Sequence, residues 1–506
     1  MTLTLMNLKT LSLALAAATL FTACGTSPQG AQTLYEGVPF DMPVVQEPRI
    51  PANQVLLTDF GAVGDGVSLN TQAFADAISS LVQKGGGTVV VPAGIWLTGP
   101  VGLESHIGLR LDKDAVIVFS TDQELYPIID TNFEGLDVRR CLSPLHAEGA
   151  TDIAITGEGV IDGNGDAWRE VKRRKVGDDQ WKAIVARGGV LADDQKTWFP
   201  DEGYKAARAT AGSLNKPSDE LDENYIKTFL RPVMLSFRSC ERVLLEGVTF
   251  QNSPCWNLHP LWCKDVTISD ITVRNPHYST NGDGIDIEAC ENVVLSGSTF
   301  DVGDDAICIK SGKDADGRAH GIPCKNLIIR DCTVYHGHGG FVVGSEMSGG
   351  VENIWVSGCR FLGTDVGLRF KSTRGRGGVV SNIWCDHIYM KDIVSYGVIF
   401  NLYYAGVAAS DIKKADAPAQ SSAATASADF PSVPAVDETT PEFRDMHISE
   451  VICSGAKQAI YVNGLPEMPV KNIAFRNSVF TAKKGAEVHY AQNVTFENVS
   501  VNGEQL

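Results

Sequence analysis

Positive charge is scarce in this chain. Its 506 residues carry 43 Lys and Arg against 61 Asp and Glu, a formal net charge of −18. Such a surface does not attract nucleic acid or anionic lipid over its whole area, so neither is expected as a partner. A polyanionic ligand would need a locally basic site. Long apolar runs are also missing. Beyond Cys24 no stretch is long and apolar enough to cross a bilayer as a helix. Paired cysteine or histidine spacings of the zinc-site kind are absent. There are 12 cysteines, and setting Cys24 aside leaves an odd number, which forbids complete pairing. Many of them recur at equivalent places in a repeat, which favours buried small apolar residues over a disulfide framework.

The first residues read as an export signal. Lys9 precedes an apolar run, residues 11–21, too short to span a membrane. The run ends in small residues before Cys24, a pattern resembling a bacterial lipoprotein box, although Phe21 stands where leucine is usual. The expectation is a signal peptide over 1–23, a lipid on Cys24, a linker over 24–54 and the main domain over 55–506. Localisation would be the periplasm or cell surface, with simple secretion if Cys24 carries no lipid. Contact with a membrane is expected only through that lipid.

What the chain has in quantity is an internal repeat. Residues 239–250, 262–273, 289–300 and 323–334 align with one another, an earlier copy starts at Thr151, and weaker ones start near Val351, Val380, Arg444, Val470 and Ala491. Each unit holds two short β-branched runs separated by a polar or glycine corner. One unit cannot bury its inner face alone, but a stack can. The spaced leucines of a leucine-rich repeat are missing. The expected fold is all-β: a single-stranded right-handed parallel β-helix, a solenoid, closed at its start by a short capping helix over 70–84. Asn292, Asn326, Asn353, Asn382, Asn472 and Asn493 fall at one corner, where asparagine tolerates a left-handed turn and its amide can bond to the next coil. Two insertions interrupt the array. Residues 164–228 are charged and aromatic, with Trp168, Trp181, Trp198 and Tyr204; residues 405–440 are rich in Ala, Ser and Pro. The aromatics would either stack on a flat ligand or pack against the coil wall.

Acidic and basic groups cluster on successive coils: Asp283 and Asp286, then Asp304 and Asp305, then His338, then Arg369 and Lys371. Equivalent positions on neighbouring coils lie about 4.8 Å apart, so these groups can line one stripe. Glycosidic hydrolysis needs one carboxylic acid to protonate the leaving oxygen and one carboxylate to activate water. Adjacent aspartates on a regular strand face opposite ways, so Asp304 and Asp305 share a cleft only if the chain bends or bulges, which Gly303 permits. Asp-Gly pairs are also common turns, and Asp286 reads as a turn residue. An oxygen-rich calcium site is a further alternative. Arg369 and Lys371, two residues apart on one strand, point the same way and suit a sugar carboxylate.

These motifs resemble glycoside hydrolase family 28, the polygalacturonase-like pectinases, from about residue 55 to the end, insertions excluded. The family's Asn-Thr-Asp matches Asn281 to Asp283 with Gly282 for Thr. Its Gly-Asp-Asp matches Gly303 to Asp305, its Gly-His-Gly matches Gly337 to Gly339, and its Arg-Ile-Lys matches Arg369 to Lys371 with Phe370 for Ile. The resemblance implies an inverting hydrolase of pectic polysaccharide or oligosaccharide. Asp304 would be the acid, Asp283 and Asp305 would hold and activate water, and His338 would support the acid. Arg369 and Lys371 would bind galacturonate, with Asn281 also at the substrate. No metal or organic cofactor is expected, and the chain is expected to be a monomer. Rhamnogalacturonan or xylogalacturonan hydrolysis, a calcium-dependent lyase and a non-catalytic carbohydrate-binding β-helix are the alternatives. If the insertions close the groove's ends, cutting would be from chain ends.

Overall fold

The computed structural model describes residues 34–211, 216–404 and 433–506. The signal segment, Cys24 and residues 405–432 of the second expected insertion lie outside the described residues. Residues 38–506 form one compact unit.

The repeat folds as a three-walled parallel β-helix. One wall stacks Leu145–Glu148, Leu235–Arg238, Leu258–Leu261, Ile285–Glu288, Asp305–Lys310, Gly339–Val343, Val366–Lys371 and Tyr396–Asn401 in that order. The second wall runs from Gln54–Leu56 through Glu291–Ser296, Cys324–Arg330 and Val351–Ser357 to Ala491–Val501. The third carries short strands such as Thr272–Arg274 and Thr299–Asp301. Every pairing between coils is parallel. The interior is a continuous column of buried Val, Ile, Leu, Phe and Cys. All eleven described cysteines are free and buried, as the repeat positions predicted. Phe370 lies in this column, stacked on Phe400 at 4.3 Å and edge-on to Phe341 at 6.3 Å. The departure from the Arg-Ile-Lys pattern is thus a core stack and does not face ligand.

The corner asparagines behave as their chemistry predicts. Asn292, Asn326, Asn353, Asn382, Asn472 and Asn493 all have φ between 54° and 61°. That conformation costs an ordinary L residue about 1–2 kcal/mol. Each amide donates to the equivalent side chain one coil earlier, from Asn292 on Asp265 to Asn382 on Asn353, and from Asn472 on Asp445 to Asn493 on Asn472. A bond of about 0.5–1.5 kcal/mol per coil offsets the turn.

The capping helix spans Thr71–Val82 and turns Phe74, Ile78 and Leu81 onto the first coils. Residues 38–53, expected as linker, run against the second wall: Phe40 packs on Trp384 at 5.5 Å, and the Arg49 amide donates to Asp152. The first insertion has its own small core. Helices Asp178–Ala186 and Glu202–Thr210 and a three-stranded sheet surround Trp168, Phe199, Tyr204 and Phe229, backed by the hairpin Ile128–Phe133 with Leu136–Cys141. Trp168, Trp198 and Tyr204 are 1, 5 and 1% exposed, so they hold the insertion together and are not free to stack on sugar.

Candidate active site

The site opens on the first wall, over four consecutive coils. Asp305 begins the strand Asp305–Lys310, and Asp304 sits in the bend just before it. The adjacent aspartates meet in one cleft because the strand starts between them; no bulge interrupts its pairing with Ile285–Glu288 or Gly339–Val343. Gly303 is required by space: a Cβ there would lie 2.6 Å from the Pro276 carbonyl and from Ser279 Oγ. Gly282 has the same reason, since its Cβ would fall 1.8 Å from Ser279 Oγ, which explains glycine in place of threonine. A Cβ at Gly339 would fall 2.4 Å from Val342 Cγ2, so glycine fits there for space as well.

The charged groups converge. Carboxylate oxygens of Asp283, Asp304 and Asp305 lie within 4.8 Å of one another, close enough to chelate a cation. The protein already supplies positive partners. His338 Nδ1 is 2.9 Å from Asp304 Oδ1. Arg369 donates to Asp305 Oδ1 at 3.1 Å and Lys371 to Oδ2 at 2.7 Å, so the two cations do point the same way. Tyr404 lies against both. Together with Asn281 these groups line a cavity of about 470 Å3.

The three carboxyls differ in proton affinity. Asp283 is raised well above the usual range, by burial first and then by the charges of Asp286 and Asp304. Burial also pushes Asp304 up, but His338, Lys371 and Lys175 outweigh it and hold the group below the usual range. For Asp305 burial is likewise overcome, by Lys371 and Arg369. His338 is raised by its bond to Asp304. Of the three, Asp283 therefore has the highest proton affinity, and Asp304 and Asp305 favour the ionised form.

Asp286 is not a turn residue. It is fully buried in the strand Ile285–Glu288, with Lys310 Nζ at 3.2 Å from its Oδ1, and burial lifts it to about 8 against the pull of that lysine. Lys310 also meets Glu346 at 3.2 Å and the Trp256 ring at 3.9 Å. Sequence reasoning passed over this group. The signal was there: Lys310 follows Asp305 along the same strand, whose register sets Glu288 opposite Lys310. It also missed Arg231, which is buried, donates to Asn281 Oδ1 at 2.9 Å and so fixes that amide. Arg231 is remote in sequence and carries no motif.

The first insertion borders the site. Glu170, Lys172, Tyr204 and Arg208 share with Asn281 and Asp304 a second cavity of about 240 Å3.

Residues 220–419 match the model of glycosyl hydrolases family 28. A "probable polygalacturonase" of Vitis vinifera is 33% identical over 350 residues, 67% of this chain and 61% of that protein. The chain thus spans about 61% of the length of that relative. An exo-poly-alpha-D-galacturonosidase of Dickeya chrysanthemi is 26% identical over 477 residues, 89% of this chain and 74% of the relative. The crystal structure of an exopolygalacturonase from Thermotoga maritima superposes with a TM-score of 0.74 at 30% identity, covering 94% of this chain and 97% of that one. With the four motifs assembled in one cleft and that likeness running over nearly the whole of both chains, this protein belongs to glycosyl hydrolase family 28.

Proposed function

We propose that this protein hydrolyses the galacturonic-acid backbone of pectin, working from chain ends. The observation that carries the reading is the pairing of Asp304 with His338 beside Asp305 held by Lys371 and Arg369, in one cavity. A galacturonate carboxylate entering that cavity takes Lys371 and Arg369 as partners. Their pull on the aspartates weakens and new negative charge arrives, so Asp304 rises. The proton shared with His338 then moves across the 2.9 Å contact to Asp304. Asp304 passes it to the glycosidic oxygen as the bond to the anomeric carbon breaks. A water between Asp283 and Asp305 attacks that carbon and gives its proton to ionised Asp305, while neutral Asp283 orients the water.

The carboxyl spacing, within 4.8 Å, is shorter than the roughly 6.5–9.5 Å usual for inverting pairs. Inversion is nevertheless the better reading, on the likeness to the family, whose motifs put Asp283 and Asp305 on the attacking water. From an α-linked polymer the anomer formed first, followed by NMR, should be β; an α product would overturn this step.

Chain-end action rests on the first insertion standing beside Asp304. Homogalacturonan should lose viscosity slowly while releasing monomer or dimer early, and rhamnogalacturonan should yield little product. Rapid viscosity loss at low bond cleavage would reverse the chain-end reading. We further propose that the protein acts as a monomer, exported and tethered by a lipid on Cys24.

A further inference from the structure

A long chain has one way out of the catalytic cavity. Past Asn281 and Asp304 the space ends in the cavity of about 240 Å3, which Phe133, Tyr204 and Phe229 close with buried side chains. Toward the later coils it continues into a third cavity, of about 400 Å3, which shares His338, Arg369, Lys371 and Tyr404 with the catalytic one. That third cavity sets Arg369 and Lys371 against a single acid, Asp365, so it accepts a polyanion.

Beyond it the first wall carries one outward ring per coil. Tyr396 lines the third cavity and starts the strand Tyr396–Asn401, next after Val366–Lys371. Tyr461 stands on the following strand, Ile452–Asn463. His489 stands on Val470–His489, the last of that wall among the described residues. Ile460 and Val462, on either side of Tyr461, are buried in the interior column, so strand alternation turns Tyr461 outward. The Tyr396 and Tyr461 rings are 5.7 Å apart, and those of Tyr461 and His489 6.1 Å. The core rings Phe370 and Phe400 are fully covered, whereas Tyr396 and Tyr461 are partly exposed and His489 is 42% exposed. Neighbouring coils lie about 4.8 Å apart, close to the length of one pyranose in an extended chain, so rings and sugars keep step. A tyrosine ring gives its apolar face to the C–H face of a sugar while its hydroxyl stays wet. Glu487, the acid beside this line, is countered by Lys484 at 3.8 Å and by His489 at 4.0 Å.

We propose that Tyr396, Tyr461 and His489 form a track for the uncut remainder of a polygalacturonate chain, which makes the enzyme favour long chains over short ones. The proposal rests on the pectin reading and adds the residues that hold the polymer outside the catalytic cavity. Its test uses the full-length protein. Digalacturonate and decagalacturonate are titrated by calorimetry into the Asp304→Asn form, which binds without cutting, and kcat/KM is measured on both with Asp304 intact. The decamer should bind about tenfold or more tightly than the dimer. Tyr461→Ala should reduce that preference about fivefold or more, in affinity and in kcat/KM, and Tyr461→Phe, which keeps the ring, should retain it. If Tyr461→Ala folds poorly, His489→Ala decides alone. A length preference carried by Tyr461 in a protein that cuts no polygalacturonate would end the pectin-hydrolase reading and keep the track. Cutting with equal losses on both lengths would end the track and keep the hydrolase. A wild type that sediments as a dimer, with Tyr461→Ala sedimenting as a monomer, would give this face to a second copy of the chain and likewise end the track.

Discussion

His338 and Asp304 are tied twice: the imidazole Nδ1 lies 2.9 Å from the carboxylate, and the His338 amide donates to the Asp304 carbonyl at 2.8 Å. The backbone bond sets the distance between two consecutive coils, and the side-chain bond uses that distance to share a proton. Asp304→Asn keeps the first and removes the proton. Turnover should fall about a hundredfold to ten-thousandfold, with the melting temperature close to wild type. Turnover retained near the wild-type rate would remove Asp304 from the role of acid.

Lys371→Ala should act twice. Losing a charge-assisted contact of about 1.5–3 kcal/mol weakens uronate binding, and methyl-esterified substrate should be affected much less. Lys371 also holds Asp305 ionised, so without it the Asp305 carboxyl rises and the acidic limb of the pH–rate profile moves to higher pH. Equal losses on both substrates with an unmoved limb would make Lys371 structural.

Asp286 should cost stability as pH rises. Its pKa of about 8 in the folded state exceeds the unfolded value near 3.9. Between those values the folded protein binds more protons than the unfolded one, so unfolding becomes easier with rising pH. Asp305 and Asp304 run the other way, adding stability above the unfolded value that is lost as pH falls through their lowered ones. Asp286→Asn should flatten the decline in urea-unfolding stability from pH 5 to 8 relative to wild type. An unchanged slope would mean that Asp286 is ionised throughout, held by Lys310.

Cys24→Ser should move the protein out of the membrane fraction or block its processing. Membrane association identical to wild type would leave simple secretion as the better account of the first residues.

Much of this architecture was readable because a solenoid turns sequence equivalence into spatial neighbourhood. Aligning residues 289–300 with 323–334 is enough to set Asn326 beside Asn292, and the same arithmetic puts Asp304 near Asp283 and His338. The arithmetic fails where contacts leave the stack. Arg231 reaches Asn281 across 50 positions, and Glu134 comes to the site from the hairpin. Neither belongs to a repeat, so no period exposes them. The insertion's aromatics were ambiguous for a different reason: a tryptophan looks the same in sequence whether it faces sugar or its own small core. Asp286 misled because an Asp-Gly pair just upstream suggested a turn, although the backbone is already in its strand.

The fastening of Asn281 also bears on how the protein ages. Asparagine followed by glycine is the dipeptide most prone to lose its side-chain amide, through attack by the following backbone nitrogen. Here Arg231 grips Asn281 Oδ1, while Nδ2 reaches toward Glu134 Oε1 at 3.5 Å. Conversion to aspartate would keep the arginine bond but turn the Glu134 contact into two facing carboxyls, beside four more acidic side chains in the cavity. Arg231 and Glu134 thus fix both atoms of the Asn281 amide and oppose the rotation that ring closure needs, so Arg231→Gln should make warm-stored protein gain an acidic form altered at Asn281 faster than wild type.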